Sequence, residues 1–142
     1  MTMRKILFRG QDVRGNWHVG LLAHIGNAWY ISNSAGVATA YEVIPRTIGQ
    51  YTDLNDKNGK KIFEGDLFQM EDDIIAVVIF EDGGFRLKSY GICGTFTENG
   101  FDEDGGGYGI IECEPIDWYY IHDMEVIGNI HDNPELLRKD DA

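Results

Sequence analysis

Apolar and polar side chains alternate along most of this chain in short runs separated by Gly, Asn and Asp, the pattern of β-strands joined by tight turns. Residues 6–9 (ILFR) predict an opening strand, and Asp12, Gly15 and Asn16 supply the turn after it. Residues 17–25 (WHVGLLAHI) are rich in β-formers, and Gly26-Asn27 suits a two-residue hairpin loop into residues 28–31 (AWYI). A turn at residues 33–36 leads into a further strand over 37–43. Four such strands make an antiparallel meander. Pro45 then breaks the pattern and pushes its neighbours towards extended geometry, which places an internal boundary at residues 44–50.

The second half is launched by residues 47–70 (TIGQYTDLNDKNGKKIFEGDLFQM). Gln50, Tyr51 and Thr52 read as extended, and NDKNG at 55–59 as a turn whose Asn58-Gly59 pair suits type I′. Glu64, Gly65 and Asp66 set a flexible glycine between two carboxylates just before LFQM. The apolar run IIAVVIF at 74–80, bounded by acidic turns, predicts a strand covered on both faces. After Asp82-Gly83-Gly84, residues 85–90 alternate again; this order of strands is what a small SH3-like barrel requires. Residues 91–109 hold seven glycines with Glu98, Asp102, Glu103 and Asp104, and predict a long mobile loop. Residues 124–130 read as a last strand, and Asn133 as the N-cap of a short helix with Pro134 at its first position, running through Leu136, Leu137 and Arg138. The expected fold is mainly β. An antiparallel meander occupies 1–46, and a barrel-like subdomain with a C-terminal helix occupies 47–142, the two forming one compact unit.

A length of 142 residues with 43% hydrophobic side chains is enough for a core without staples. No run approaches the ~18 apolar residues of a membrane span, and MTMRKILF is too briefly apolar for a signal peptide. Cys93 and Cys113 are too far apart for a CxxC motif and read as thiols in a reducing cytoplasm. Charge changes the picture most. Residues 1–50 carry five basic and two acidic side chains (+3), residues 51–142 seven and twenty-two (−15), which sum to −12. Such acidity disfavours direct nucleic-acid binding, which needs a clustered positive surface, and favours solubility or a basic partner.

Residues 49–68 (GQYTDLNDKNGKKIFEGDLF) resemble the signature of the YopX family of bacteriophage and prophage proteins. Residues 126–137 (VIGNIHDNPELL) resemble that family's C-terminal motif. The matching positions are Gln50, Tyr51, Thr52, Asp56, Asn58, Gly59, Glu64, Gly65 and Asp66, then Gly128, Asn129, Asp132, Asn133 and Pro134, which the resemblance implies are structural. Asp53 departs from the pattern of the resembled family, which usually has glycine there, and so does Phe80, where tryptophan is common. Asp tolerates left-handed geometry better than most residues, so the turn is expected to survive with slight strain. The resemblance implies a phage-encoded protein inside a bacterial host and supplies no mechanism.

Candidate chemistry is thin. Asp53, Asn55 and Glu64 fall at positions 1, 3 and 12 of an EF-hand count, but position 5 is Lys57 and the required glycine is displaced to Gly59. His18 and His24 share one strand face with no third zinc ligand beside them. Gly105-Gly106-Gly107-Tyr108-Gly109 lacks the Lys-Ser/Thr of a P-loop and the strand and helix of a dinucleotide site. The aromatic residues Trp118, Tyr119 and Tyr120 come with Asp117 and Asp123 rather than a basic groove, which favours core or interface packing over base stacking. His122, His131 and Asp132 have no nucleophile at meaningful spacing, although catalytic groups assemble in space rather than in sequence.

No metal or cofactor is therefore expected, and three function classes stand. The first is an accessory protein docking on a basic host or phage protein, with Asp102, Glu103 and Asp104 in its acidic surface. The second is an enzyme or small-ligand module, and the third a self-assembling structural protein forming homo-oligomers.

Overall fold

The computed structural model describes residues 3–32, 39–71, 74–92, 95–97, 100–102, 108–117 and 121–137. It is mainly β, as the alternation predicts, with two open antiparallel sheets and a small hairpin. The first sheet holds β1 (Phe8–Gln11), β2 (Trp17–Ile25), β3 (Ala28–Ser32), β4 (Ala40–Val43), β5 (Gly49–Asn55) and β6 (Lys61–Phe63), in the order β4-β3-β2-β1-β5-β6. The second is built from β7 (Asp66–Glu71), β8 (Ile74–Glu81), β9 (Gly84–Ile92), β12 (Tyr108–Pro115) and β13 (Val126–Asn129), in the order β12-β9-β8-β7-β13. Strands β10 (Thr95–Thr97) and β11 (Gly100–Asp102) pair with each other and, among the described residues, with no other strand.

Internal packing divides the chain into two units: residues 1–54 with 61–63, and residues 55–60 with 64–142. In the first, register sets which face is buried. Opposite residues share a face, so Ile31 and Tyr41, a pair, and Trp29 and Val43, another, point the same way. Ile31 and Val43 are buried there, while the other face of β2 shows Val19, Leu21 and Ile25 to solvent. Gly10 is needed because a Cβ there would lie 2.9 Å from the Cβ of Val43. The buried Arg9 guanidinium lies between the rings of Trp17 and Phe63, 4.9 and 5.0 Å from their centroids, so its charge is accommodated by π-faces. Pro45 opens a 3-10 turn, Pro45–Thr47, tied to β1 because the Gln11 N–H donates to the Thr47 hydroxyl at 2.8 Å.

In the second unit, β8 is the central strand, and its residues 75–78 are buried on both faces. Leu67, Ile75 and Val77 form one cluster with Ile79, Tyr90, Ile130, Leu136 and Leu137 against it. The Asp82-Gly83 loop between β8 and β9 has both residues at positive φ, 55° and 83°, the geometry of type I′.

Four expectations change. The sheets are open: β12 and β13 lie at opposite edges, so the SH3-like barrel closure is not seen among the described residues. The C-terminal helix is a 3-10 turn, Pro134–Leu137. Its supposed cap is otherwise engaged, because the Asn133 side-chain oxygen accepts the Asn129 N–H at 3.2 Å, and four residues are too few to nucleate an α-helix. The segment 91–109, expected as a loop, carries β10, β11 and the start of β12, which pairs with β9 from Tyr108↔Ile92 to Pro115↔Arg86. Finally, Asn58 does not adopt positive φ and Gly59 does, at 79°, so the 55–59 turn is not type I′.

Candidate functional site

The two motifs that resemble a family signature meet at one side chain. Asp56 is buried, and its Oδ1 accepts the N–H groups of Asn58 and Lys60, both at 2.9 Å. With the Gly59 N–H donating to the Asp56 carbonyl at 3.0 Å, this is a type I turn closed by a left-handed glycine. The other oxygen, Oδ2, accepts the Val126 N–H at 3.1 Å, across 70 residues of chain. Burial works against the charge, but the donors from Val126, Lys60 and Asn58 outweigh it and hold the carboxyl below its ordinary range.

The same device recurs in the first unit. Asp12 Oδ1 accepts the N–H groups of Arg14 and Asn16 at 2.9 Å, and Gly15 closes the turn at φ 89°. Here Oδ2 meets His18 Nε2 at 2.9 Å, and the His18 ring stacks on Tyr41 at 4.0 Å. That histidine bond, more than the backbone donors, lowers the Asp12 pKa to about 2. His24 stacks on Trp29 at 4.0 Å, so both strand histidines sit against aromatic rings. Among the described residues no three His, Cys, Asp or Glu side chains converge as a metal cage would require.

The C-terminal motif is also knitted from amides. Asn129 Oδ1 accepts the N–H groups of His131 and Asp132 at 2.9 Å, and its Nδ2 donates to Asp132 at 3.2 Å. A Cβ at Gly128 would stand 2.8 Å from Asn133 Cγ, so only glycine lets the amide reach across. Gly65 links the two motifs: its N–H donates to Val78 at 2.8 Å and its carbonyl accepts from Ile130 at 2.9 Å. Tyr51 and Thr52 are buried, with the Thr52 hydroxyl donating to the Ile62 carbonyl at 2.9 Å, and burial, then the Asp53 charge, pushes the Tyr51 phenol up. Gln50 pairs with Phe8, Glu64 is half-buried in the turn before β7, Asp66 is buried at its start, and Pro134 opens the last 3-10 turn. Asp53 sits at φ 69°, in the left-handed region glycine prefers.

The chain belongs to the YopX family. The model of that family, described as YopX protein, matches residues 22–138, which takes in both motifs. A comparison with curated proteins finds no match.

Beside the Asp56 turn, the second unit opens into a cleft of about 500 Å³ lined by Lys57, Gln69, Met70, Asp123, Met124, Glu125 and Ile127. It exists because the β7–β13 ladder stops at Phe68↔Val126; beyond that pair, residues 123–125 leave β7 for the hairpin. There the Lys57 N–H donates to the Met124 carbonyl at 2.9 Å. Lys57 Nζ lies 3.7 Å from Glu125, both side chains being half-exposed. The cleft was not foreseen from sequence, since its walls come from three separated segments. In the first unit a smaller hollow of about 300 Å³ is lined by Val13, Glu42, Val43, Ile44 and Pro45. Of the expected acidic surface, Asp102 ends β11, while Glu103 and Asp104 lie outside the described residues, as do Trp118, Tyr119 and Tyr120. No helix among the described residues is long and apolar enough to cross a membrane.

Proposed function

We propose that this YopX-family protein is a phage- or prophage-encoded accessory factor that works inside the bacterial host by docking on a basic protein. The observation that carries this reading is the acidic excess on the surface of the second unit, where exposed carboxylates outnumber the exposed Lys57 and Lys60. Glu81, Asp82, Glu112, Glu114, Asp123 and Glu125 are all exposed there. An excess of −15 over residues 51–142 steers a positively charged partner and repels phosphate. The two family motifs serve this reading as scaffold, because Asp56 and Asn129 are engaged with backbone N–H groups of the motifs themselves.

The test is affinity capture from infected host cells, comparing the wild type with a variant neutralised at Asp102, Glu103 and Asp104. A basic partner should be retained at low salt, lost as salt rises, and weakened by neutralisation. Capture that ignores salt, or no partner in either form, refutes the reading. Self-association is the second reading, supported by the exposed Val19, Leu21 and Ile25 on one face of β2. A strictly monomeric sedimentation profile at high concentration removes it.

A further inference from the structure

We propose that the cleft between the Asp56 hairpin and residues 123–127 receives a single cationic side chain, lysine or arginine, from a basic protein segment; this rests on the docking reading above. The lining selects that class. Met70, Met124 and Ile127 offer an apolar floor against which a methylene stem can lie, and the two thioethers adapt to its path. The carboxylates lining it, Asp123 and Glu125, have side chains 80% and 54% exposed, within reach of a charged head group. Among the described residues they are held only by exposed contacts, Asp123 with His122 at 3.5 Å and Glu125 with Lys57. An anion would be repelled there, and a purely apolar ligand would cover the floor while adding nothing at the carboxylates.

Both walls are fixed before any partner arrives. The Lys57 N–H to Met124 carbonyl bond and the Val126 N–H to Asp56 bond, 2.9 and 3.1 Å, hold hairpin and strand together. Lys57, the cation among the described residues lining the cleft, sits 3.7 Å from Glu125 in a half-exposed pair. Such pairs are weak. An incoming ammonium or guanidinium group displaces Lys57 from Glu125, so the resident lysine competes with the guest.

The four methionines make the experiment direct. Protein labelled with ¹³C at the methionine methyl groups is titrated with acetyl-Ala-Ala-Lys-Ala-Ala-amide and with the same peptide carrying norleucine in place of lysine. The Met70 and Met124 signals should shift saturably with the lysine peptide, while that of Met3, exposed and outside the cleft, stays put. The double variant D123N/E125Q should weaken the response at least tenfold. K57Q should strengthen it by about two- to fivefold, the worth of a weak surface pair. Equal shifts with the norleucine peptide, no shift at all, or weaker binding by K57Q would each overturn the proposal. If the methyl signals stay silent while salt-sensitive capture from host cells persists in D123N/E125Q, the cleft assignment falls and the docking reading stands. If the peptide binds the cleft but no host partner is captured, the docking reading falls and the cleft stands.

Discussion

Replacing Asp56 by Asn tests whether one carboxylate holds the second unit together. The wild-type group accepts three backbone N–H bonds, from Asn58 and Lys60 at 2.9 Å and from Val126 at 3.1 Å. Asn keeps one carbonyl oxygen, enough for the turn, and turns an amide N–H towards the Val126 N–H. The buried Val126 donor is then unsatisfied, a loss of about 1–3 kcal/mol. The turn bonds also lose their charge assistance, so about 2–4 kcal/mol in all is expected. Asp56→Ala removes every acceptor, but water can reach the exposed Asn58 and Lys60, so its cost should exceed that of Asn by only about 1 kcal/mol.

The assay is urea unfolding followed by tryptophan fluorescence, reading the midpoint at an unchanged slope. The pH dependence gives an independent check. Because the Asp56 pKa is lowered in the folded state, its stabilisation is fully present above the unfolded value of about 3.9 and is lost as the pH falls towards the native one. Asp56→Asn should therefore flatten the acid limb of the stability curve. A variant within about 0.5 kcal/mol of wild type at pH 7, or one whose acid limb is unchanged, would refute the bonding scheme.

Three further outcomes follow from the same geometry. Carbon NMR of the Asp12 carboxyl should give a midpoint of about 2, which should rise towards 3.8 in His18→Ala because the histidine bond is the main cause of the shift. Asp53→Val should cost about 1–2 kcal/mol by forcing a β-branched side chain to φ 69°, whereas Asp53→Gly should be neutral or gain about 0.5 kcal/mol, strain relief offsetting the freer unfolded chain; equal effects would refute the strain argument. Gly128→Ala should lose about 1–3 kcal/mol in thermal or urea unfolding, through the contact its Cβ would make 2.8 Å from Asn133 Cγ. In an Asn133→Ala background the same change should cost less, and equal costs in both backgrounds would place the strain elsewhere.

The strands were legible where their own side chains decide them. Residues 17–25 and 74–80 alternate or run apolar strongly enough to be read without a partner, and they form β2 and most of β8. The strand β12 was not legible because its neighbours are glycines and acids; what makes it a strand is pairing with β9, a non-local fact. The Asn58-Gly59 pair misled for a physical reason. An aspartate two residues earlier competes for the turn's N–H groups and selects a type I turn with a single left-handed glycine. Its signal was present, an Asp three residues before a Gly, and the same spacing occurs at Asp12 and Gly15. What periodicity cannot carry is the second oxygen of Asp56, whose partner lies 70 residues away, or the cleft that this bond helps to frame.

The split use of that carboxylate sets an order of events. Oδ1 closes a loop of four residues and Oδ2 one of 70. By the logarithmic dependence of closure entropy on length, the second costs about 2.5 kcal/mol more than the first. On the ribosome Asp56 has its local partners almost at once, while Val126 has yet to be added. The hairpin is thus shaped early with one oxygen still hydrated, and the C-terminal motif clips onto it last. A nascent chain stopped before residue 126 would carry the turn but neither the clasp nor the cleft wall it secures.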